Sequence, residues 1–472
     1  MRRRPRRGHA TVVAKRTMNF IITLAAFVVA LGLLIVVHEF GHYLAARLCN
    51  VKVLRFSVGF GAPVWRRSFG RDRTEWVIAA FPLGGYVKMV DEREGRVAPE
   101  DLPRAFNRQS VYRRFAIVVA GPVANFLLAI FFYWVLFVHG VPGLRPVLGP
   151  VAQPSPAAMA GFRSGETIVK IGDEPVATWQ DARWVLLQHA VKKARVRIEV
   201  RNEKGEIAWR VLDLSAMSAE QLDTDFMRAA GFSYFRPIVK PVIGEVVSGG
   251  AAERAGLKAG DEIVAVNGSE VTRWDELVEL VRKSAGKTLS VEVERGGRLL
   301  PPIAVTPAAV QEGGREVGKI GAAPRIDRGM MESLAVTMRY GPFEGLARAL
   351  YKTWDTSLFT LKMLGKMIVG EVSLKNLSGP ITIADYAGQT AQTGWVAYLL
   401  FLALISISLG VLNLLPIPLL DGGHLMYYIV EIIKGSPVSE RAMEIGQHVG
   451  VALLFTLMAF ALYNDINRLI SG

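Results

Sequence analysis

Cysteine is nearly absent from the sequence: Cys49 is the only one among 472 residues. A single thiol excludes a disulfide scaffold and a metal site built from several cysteines, although it gives no information about the redox compartment. Charged residues make up 21% of the chain and hydrophobic residues 51%, which excludes an intrinsically disordered protein. The length indicates more than one folded unit.

Charge is absent from several long stretches. Residues 20–37 contain 18 uncharged residues in a row, 115–138 contain 24 and 395–415 contain 21, and a weaker apolar run covers 449–463. Because about 20 apolar residues in a helix span the hydrocarbon core of a bilayer, we expect a multi-pass α-helical membrane protein with four transmembrane helices. A cleavable signal peptide is the alternative for the first run. That run is too long, however, and it leads into HEFGH without a small-residue cleavage site.

The net charge of +14 is concentrated in two segments. Residues 1–17 hold seven basic side chains and no acidic one, and residues 49–114 hold 13 Lys and Arg against 7 Asp and Glu. The positive-inside rule places 49–114 in the cytoplasm and the long segment between helices two and three outside. The basic arm then lies on the wrong side, so we expect translation to start at Met18; a true basic extension is the alternative. Since orientation explains the charge, the expected partner is membrane lipid and not nucleic acid.

The long segment contains an internal repeat with an offset of 95 residues. Val147–Trp179 and Val242–Trp274 share 11 identical residues in 33 positions. This similarity predicts two copies of one fold, and the turn glycines between short β-branched runs indicate a small β-rich barrel. Ala255–Gly268 resembles the core of a PDZ domain, a module that binds extended peptide ends by strand addition. A plain β-rich spacer is the alternative.

An HExxH motif follows the first apolar run. His38 and His42 are four residues apart, so on a helix both imidazoles lie on one face and can bind one metal ion. Neutral imidazole suits Zn²⁺, and Glu39 is placed to take a proton from a metal-bound water. Ionisable residues at the end of an apolar helix indicate a functional site. A pair of histidines that only caps the membrane span is the alternative.

A hydrolytic zinc site needs a third protein ligand and an open position. Candidates follow the third apolar run, in the segment 413–424 (NLLPIPLLDGGH), because the ends of the first and third spans lie on the same side of the membrane. Asp421 lies between a proline-broken helix and two glycines that allow a sharp turn. His424 is the competing ligand. Asn413 is predicted either to bind the peptide backbone or the oxyanion, or to form a hydrogen bond between helices.

These motifs together resemble the site-2 protease family (M50) of intramembrane zinc metalloproteases, in particular its bacterial envelope-stress branch. The supporting stretches are HEFGH, NLLPIPLLDGGH, the tandem PDZ-like modules, FSVGFG (56–61), FPLGGYVKM (81–89), GPVAN (121–125) and GPITIA (379–384). The resemblance implies that His38, His42 and Asp421 bind zinc and that Glu39 is the catalytic acid and base. It also implies that Gly59, Phe60 and Gly61 belong to a membrane-associated β-loop that presents substrate. From the residues alone we expect this Gly-rich loop to offer an unpaired strand edge.

The resemblance implies a function and a location. The expected reaction is site-2 cleavage of the transmembrane segment of an anti-sigma factor, and of signal-peptide remnants, in the bacterial inner membrane. The active site is expected near the cytoplasmic face, with the PDZ modules on the periplasmic side, where they bind peptide ends or exclude bulky substrates. A catalytically silent, membrane-tethered PDZ scaffold is the alternative, and a metal transporter is a third hypothesis.

The expected domain organisation follows from these patterns. In order, the chain is predicted to contain a basic arm (1–17), transmembrane helix 1 with HExxH (18–48), a cytoplasmic membrane-associated β-loop region (49–114), transmembrane helix 2 (115–139), PDZ domain 1 (143–235), PDZ domain 2 (236–308), an amphipathic surface helix (330–370), transmembrane helix 3 with the zinc-ligand Asp (395–424) and transmembrane helix 4 (447–465).

Overall fold

Helices that form one bundle and strands that form several small sheets alternate along the chain. The computed structural model describes residues 7–218, 221, 226–235, 237–312, 315–325, 328–373 and 378–471, so residues 1–6 of the predicted basic arm lie outside it. The helices are α1 (Arg7–Leu48), α2 (Val111–His139), α3 (Pro156–Met159), α4 (Trp179–Val191), α5 (Phe226–Ala229), α6 (Ala251–Arg254), α7 (Trp274–Lys283), α8 (Arg328–Leu334), α9 (Pro342–Ile368), α10 (Pro380–Thr393), α11 (Trp395–Leu414), α12 (Asp421–Lys434) and α13 (Glu440–Ser471). Two short 3-10 helices cover Pro99–Arg104 and Phe106–Arg108.

The strands belong to separate small sheets. They are β1 (Val53–Phe69), β2 (Thr74–Met89), β3 (Val141–Leu144), β4 (Thr167–Ile171), β5 (Glu174–Pro175), β6 (Arg195–Arg201), β7 (Ile207–Asp213), β8 (Ile243–Val246), β9 (Glu262–Val266), β10 (Ser269–Glu270), β11 (Leu289–Arg295), β12 (Arg298–Leu299), β13 (Ile303–Val305), β14 (Ala308–Glu312), β15 (Arg315–Lys319), β16 (Ala322–Pro324) and β17 (Ala335–Met338).

Within the described part of the chain, four helices are long and apolar enough to cross a membrane. These segments are Met18–Leu48, Val111–His139, Trp395–Leu414 and Glu440–Arg468. The helices α1, α2, α9, α10 and α11 share one apolar core, which includes Ala30, Phe132 and Ile407. The chain is therefore a membrane protein whose helices form a packed bundle, as length and composition indicate.

The predicted transmembrane segment 395–424 contains a helix that is shorter than these bounds and ends at the proline break that the sequence predicts. Helix α11 ends at Leu414, and a separate helix, α12, begins at Asp421. Pro416 and Pro418 lie between the two helices, and a proline in a helix interior removes a backbone donor and clashes with the preceding turn. Asp421 is consequently the first residue of its own helix.

The predicted surface helix over 330–370 is also too long at its start. Ala335–Met338 forms strand β17, which pairs with β3, and α9 begins only at Pro342. Proline is well tolerated at the first helical position because its missing N–H has no partner there in any case. Helix α9 packs against α2 and also reaches α4, where Trp184 Nε1 donates a hydrogen bond to Asp355 Oδ2 at 2.6 Å.

The internal repeat corresponds to two modules built in the same order. Helix α3, strands β4 and β5 and the start of α4 recur 95 residues later as α6, β9, β10 and the start of α7. Each module has its own apolar core, and residues 95 apart, such as Ile168 and Ile263, hold equivalent places in the two cores.

The predicted boundary of the second module at 308 is wrong. Strand β16 pairs with β8, and Ile320 belongs to the core of this module. The module therefore extends to Pro324, because its first strand, β8, pairs with β16, which follows the β14–β15 hairpin in the chain.

The predicted β-loop region forms a small sheet from two long, bent strands. Residues 55–58 of β1 pair with residues 85–88 of β2 on one side and with residues 75–78 of β2 on the other. The second half of β1, residues 63–69, pairs with 74–79. The prediction that the Gly-rich loop offers an unpaired edge is therefore wrong for Phe56 to Val58. Among the described strands, the free edges of this sheet are residues 85–89 and 63–69.

Candidate metal centre

Three ligand atoms converge near one end of α1. His38 and His42 lie one turn apart, and their Nε2 atoms are 3.3 Å from each other. Asp421 Oδ2 lies 3.1 Å from His38 Nε2 and 3.4 Å from His42 Nε2. In the described part of the chain, these three side chains form a group whose ligand atoms all lie within 4.8 Å of one another, close enough to share one metal ion.

The triangle of ligand atoms has the size that zinc requires. A tetrahedral zinc with ligands at about 2.0–2.1 Å separates its ligand atoms by about 3.3–3.4 Å. The three observed separations, 3.1, 3.3 and 3.4 Å, agree with this geometry. The site therefore has two imidazoles and one carboxylate with the spacing of a three-ligand zinc site.

The break between α11 and α12 positions Asp421 beside the two histidines. Leu419 adopts a positive φ of 88° just before α12 begins. A Cβ at Gly422 would lie 2.1 Å from the carbonyl oxygen of Leu415, and one at Gly423 would lie 2.6 Å from that of Ile417. The two glycines allow the first turn of α12 to pack directly on the backbone of the break, which holds Asp421 at the depth of His38.

One face of α2 supports both histidine rings. Residues 117, 121 and 125 are four apart and therefore lie along the same helix face. The carbonyl oxygen of Ile117 lies 2.9 Å from His42 Nδ1, and the Asn125 side-chain nitrogen lies 3.2 Å from His38 Nδ1. Between them, a Cβ at Gly121 would lie 2.3 Å from His42 Nε2. The histidines thus occupy a space that exists because position 121 has no side chain.

Glu39 lies between the metal centre and the small sheet. The site for a Cβ at Gly85 is 2.8 Å from Glu39 Cγ, so β2 passes directly beside this side chain. Gly85 belongs to the segment 85–89, which is one of the two free edges of the sheet. A carboxylate, the three ligand atoms and an unpaired backbone edge therefore meet in one place.

A salt bridge connects the helices that carry the site. Arg114 Nη2 on α2 lies 2.6 Å from Glu431 Oε1 on α12, and both side chains are largely buried. The guanidinium of Arg114 also stacks over the ring of Tyr428, at 5.0 Å from its centre. These contacts fix α12, and with it Asp421, against the helix that supports the histidines.

The remaining predicted residues lie apart from the three ligand atoms. His424 is exposed on the next turn of α12, where its ring faces Tyr427, and Asn413 is half-buried in the last turn of α11. Gly59 and Gly61 have φ near +90° and form the corner of β1, with Phe60 stacked on Tyr86. They bend the sheet and do not contribute its free edge.

Three residues beside the centre were not predicted as site residues. Gly121 and Asn125 lie in the GPVAN stretch, and Gly85 lies in FPLGGYVKM, so all three were noticed only as parts of motifs. The signal for Gly121 and Asn125 is the spacing of four between a small and a polar residue in an apolar helix, whereas Gly85 has only its place in the glycine pair of FPLGGYVKM. That spacing alone does not identify what the helix face contacts.

Comparisons with known proteins agree over nearly the whole chain. Residues 26–457 match the model of peptidase family M50. The regulator of sigma-E protease RseP of Salmonella typhimurium is 44% identical over 458 residues, which cover 96% of this chain and 100% of that protein. The protein of the same name from Escherichia coli is 44% identical over 452 residues, with the same coverage. A protein of Ralstonia nicotianae named as a zinc metalloprotease is 44% identical over 465 residues, or 95% and 99% of the two chains.

Proposed function

The chain belongs to peptidase family M50 and is a zinc metalloendopeptidase, and we propose that His38, His42 and Asp421 hold its zinc ion. The observation that carries this proposal is the triangle of two imidazole nitrogens and one carboxylate oxygen with edges of 3.1–3.4 Å. When bound, zinc acts as a Lewis acid toward the scissile carbonyl and activates water.

Glu39 is the proposed general base and acid. The ligand triangle is complete without Glu39. Glu39 lies close enough to all three ligands to interact with their charges, and it contacts the sheet edge at Gly85. Its carboxylate takes a proton from the attacking water and returns it to the nitrogen of the leaving amine. Water must reach this carboxylate through a cavity, because the hydrocarbon region around an apolar helix contains none.

The substrate is proposed to lie extended along residues 85–89. A peptide bond in a transmembrane helix is protected by its own hydrogen bonds, so the helix must unwind before cleavage. A free strand edge can replace those hydrogen bonds by strand addition. Because Gly85 contacts Glu39, a chain paired to this edge passes directly beside the proposed base.

The proposed physiological substrate is a membrane-spanning anti-sigma factor in the bacterial inner membrane. The relatives named regulator of sigma-E protease support this assignment. The basic segment 49–114 supports an active site near the cytoplasmic face, with both modules on the periplasmic side. Cleavage of signal-peptide remnants is a further proposed activity of the same site.

The two repeated modules are proposed to be PDZ domains. Their shared order of strands and helices and the AGLKAGDEIVAVNG stretch of the second module support this proposal. In that role they bind peptide ends or prevent bulky substrates from reaching the membrane site.

The decisive test is the variant Glu39→Gln. We expect purified Glu39→Gln protein to keep one zinc per chain but to cleave a model transmembrane substrate at least about 100-fold more slowly, since the amide cannot take the proton. Zinc is measured by elemental analysis and cleavage by gel assay. Glu444→Gln, which changes an exposed carboxylate on α13, serves as the matched control and should behave like the wild type. Cleavage at the normal rate by Glu39→Gln would remove Glu39 from this role.

A further inference from the structure

The protons on the two histidine rings decide whether both can bind zinc. A ring that binds a metal through Nε2 must carry its proton on Nδ1, and that N–H needs an acceptor. For His42 the acceptor is the carbonyl oxygen of Ile117, at 2.9 Å from Nδ1. A main-chain carbonyl can only accept, so this contact fixes the ring of His42 with Nε2 free for the metal.

The ring of His38 has a different neighbour. Its Nε2 faces Asp421 Oδ2 at 3.1 Å, and its Nδ1 lies 3.2 Å from the side-chain amide of Asn125. An amide can donate through Nδ2 or accept through Oδ1, and a half turn about its last bond exchanges the two atoms. If Nδ2 donates, the ring proton is on Nε2 and points into the ligand triangle. If Oδ1 accepts, the proton is on Nδ1 and Nε2 is free.

Asn125 is positioned so that either Nδ2 or Oδ1 of its amide can face His38 Nδ1. Its side chain is fully buried in α2, and Oδ1 has no hydrogen-bond partner among the described residues. Its main-chain carbonyl accepts a hydrogen bond at 2.8 Å from Ser406 Oγ on α11, which fixes this turn of α2. A buried amide oxygen without a partner next to a ring nitrogen indicates an acceptor for that ring.

We propose that Asn125 is a positioning residue whose side-chain oxygen accepts the Nδ1–H of His38 and thereby keeps His38 Nε2 available to zinc. This inference rests on the proposed function, because it takes His38 as a zinc ligand. It makes α2 the common support of both rings, through a carbonyl at 117 and an amide at 125. Asn125 touches neither substrate nor metal and acts only through His38.

The test compares an acceptor with a side chain that has none. Asn125→Asp keeps an oxygen acceptor at this position, whereas Asn125→Leu has nearly the same size and no acceptor. The full-length proteins are purified in detergent, and their zinc dissociation constants are measured by competition with a chelator of known affinity. We expect zinc binding to weaken about 10- to 100-fold in Asn125→Leu and to stay within about threefold of the wild type in Asn125→Asp.

Ser406→Ala is the matched structural control. It removes the hydrogen bond to the main chain of Asn125 but leaves the side-chain amide in place. We expect a lower unfolding temperature with an unchanged zinc dissociation constant, which separates helix packing from histidine positioning.

Either of two results would overturn the proposal. One is wild-type zinc affinity in Asn125→Leu, which would show that no acceptor is needed; the other is an Asn125→Asp protein that binds zinc poorly although it keeps an acceptor. If Asn125→Leu does not fold, Asn125→Asp decides alone, because the proposal requires this variant, which keeps an acceptor, to bind zinc within about threefold of the wild type. Absence of zinc from the wild type, or full zinc content in His38→Ala, would instead contradict the proposed function.

Discussion

At position 121 of α2, a single missing side chain makes room for the metal centre. A Cβ there would lie 2.3 Å from His42 Nε2 and 2.9 Å from His38 Cε1, closer than real Cβ atoms approach other atoms. Both neighbours are atoms of the proposed ligand rings, which cannot move away without leaving the ligand triangle. Glycine is therefore required at this position by the site and not by its backbone conformation.

We expect Gly121→Ala to lower zinc affinity by at least about tenfold while the protein remains folded. The added methyl group must displace His42, and the displaced ring no longer meets Asp421. Zinc content after dialysis against a chelator, measured together with circular dichroism, tests this expectation.

Gly32→Ala provides the matched control in the same protein. Gly32 lies within α1, and no atom lies within 4 Å of its added Cβ. Alanine is also the better helix former by about 1 kcal/mol, so this variant should retain zinc and stability. Equal zinc affinity in both glycine variants would contradict the steric argument.

At the scale of secondary-structure elements, the bent strands β1 and β2 decide where a substrate can pair. Two backbone edges remain free among the described strands, residues 85–89 and residues 63–69. The first contains Gly85, where an added Cβ would lie 2.8 Å from Glu39 Cγ. This contact is the reason for proposing that a substrate pairs with the edge at 85–89.

Cysteine cross-linking can distinguish the two edges. In a Cys49→Ser, Glu39→Gln background, we expect Lys88→Cys to form a disulfide with cysteines placed around the cleavage site of a model transmembrane substrate. Arg67→Cys, on the other free edge, replaces a basic residue that is also exposed and should cross-link several-fold less. Preferential cross-linking through Arg67→Cys would reject residues 85–89 as the pairing edge.

The sequence predicted the long helices correctly but not the pairing of the strands. Spans one, two and four are covered by α1, α2 and α13, because uninterrupted apolar runs specify long helices in a membrane protein. The break after the third span was also predicted, because Pro416 and Pro418 cannot continue a helix. The unpaired edge was expected in the loop 56–61, where residues 56–58 in fact pair on both sides, because strand pairing depends on which segments meet and not on local composition.

At the scale of the whole molecule, contacts between described residues join the bundle to the first module. Strand β17 returns to β3 beside the end of α2, and Asp355 on α9 accepts hydrogen bonds from Trp184 and Gln188 on α4. Within the bundle, Asp465 on α13 accepts the N–H of Gly379 at 3.0 Å, just before α10 begins. These contacts connect elements that are far apart in the chain.

The scarcity of cysteine makes the proposed orientation directly testable. In a Cys49→Ser background, we expect a membrane-impermeant maleimide to label Lys287→Cys, in the second module, on intact spheroplasts. Glu100→Cys, in the basic segment, should be labelled only after detergent is added, because the positive-inside rule places 49–114 in the cytoplasm. The reverse pattern would contradict this orientation, and mass spectrometry of the labelled protein distinguishes the two results.

The sequence by itself determined the features that local patterns specify. The apolar runs predicted the membrane helices, the spacing in HEFGH placed two imidazoles on one helix face, and the 95-residue offset revealed two modules of like construction. Tertiary structure alone decided that Gly121 leaves the histidines room and that Asn125 faces His38, and it places Asp421, which the family resemblance had already indicated as the ligand, beside both rings. Those relations arise from packing between α1, α2 and α12, which are distant in the chain, so no local pattern contains them.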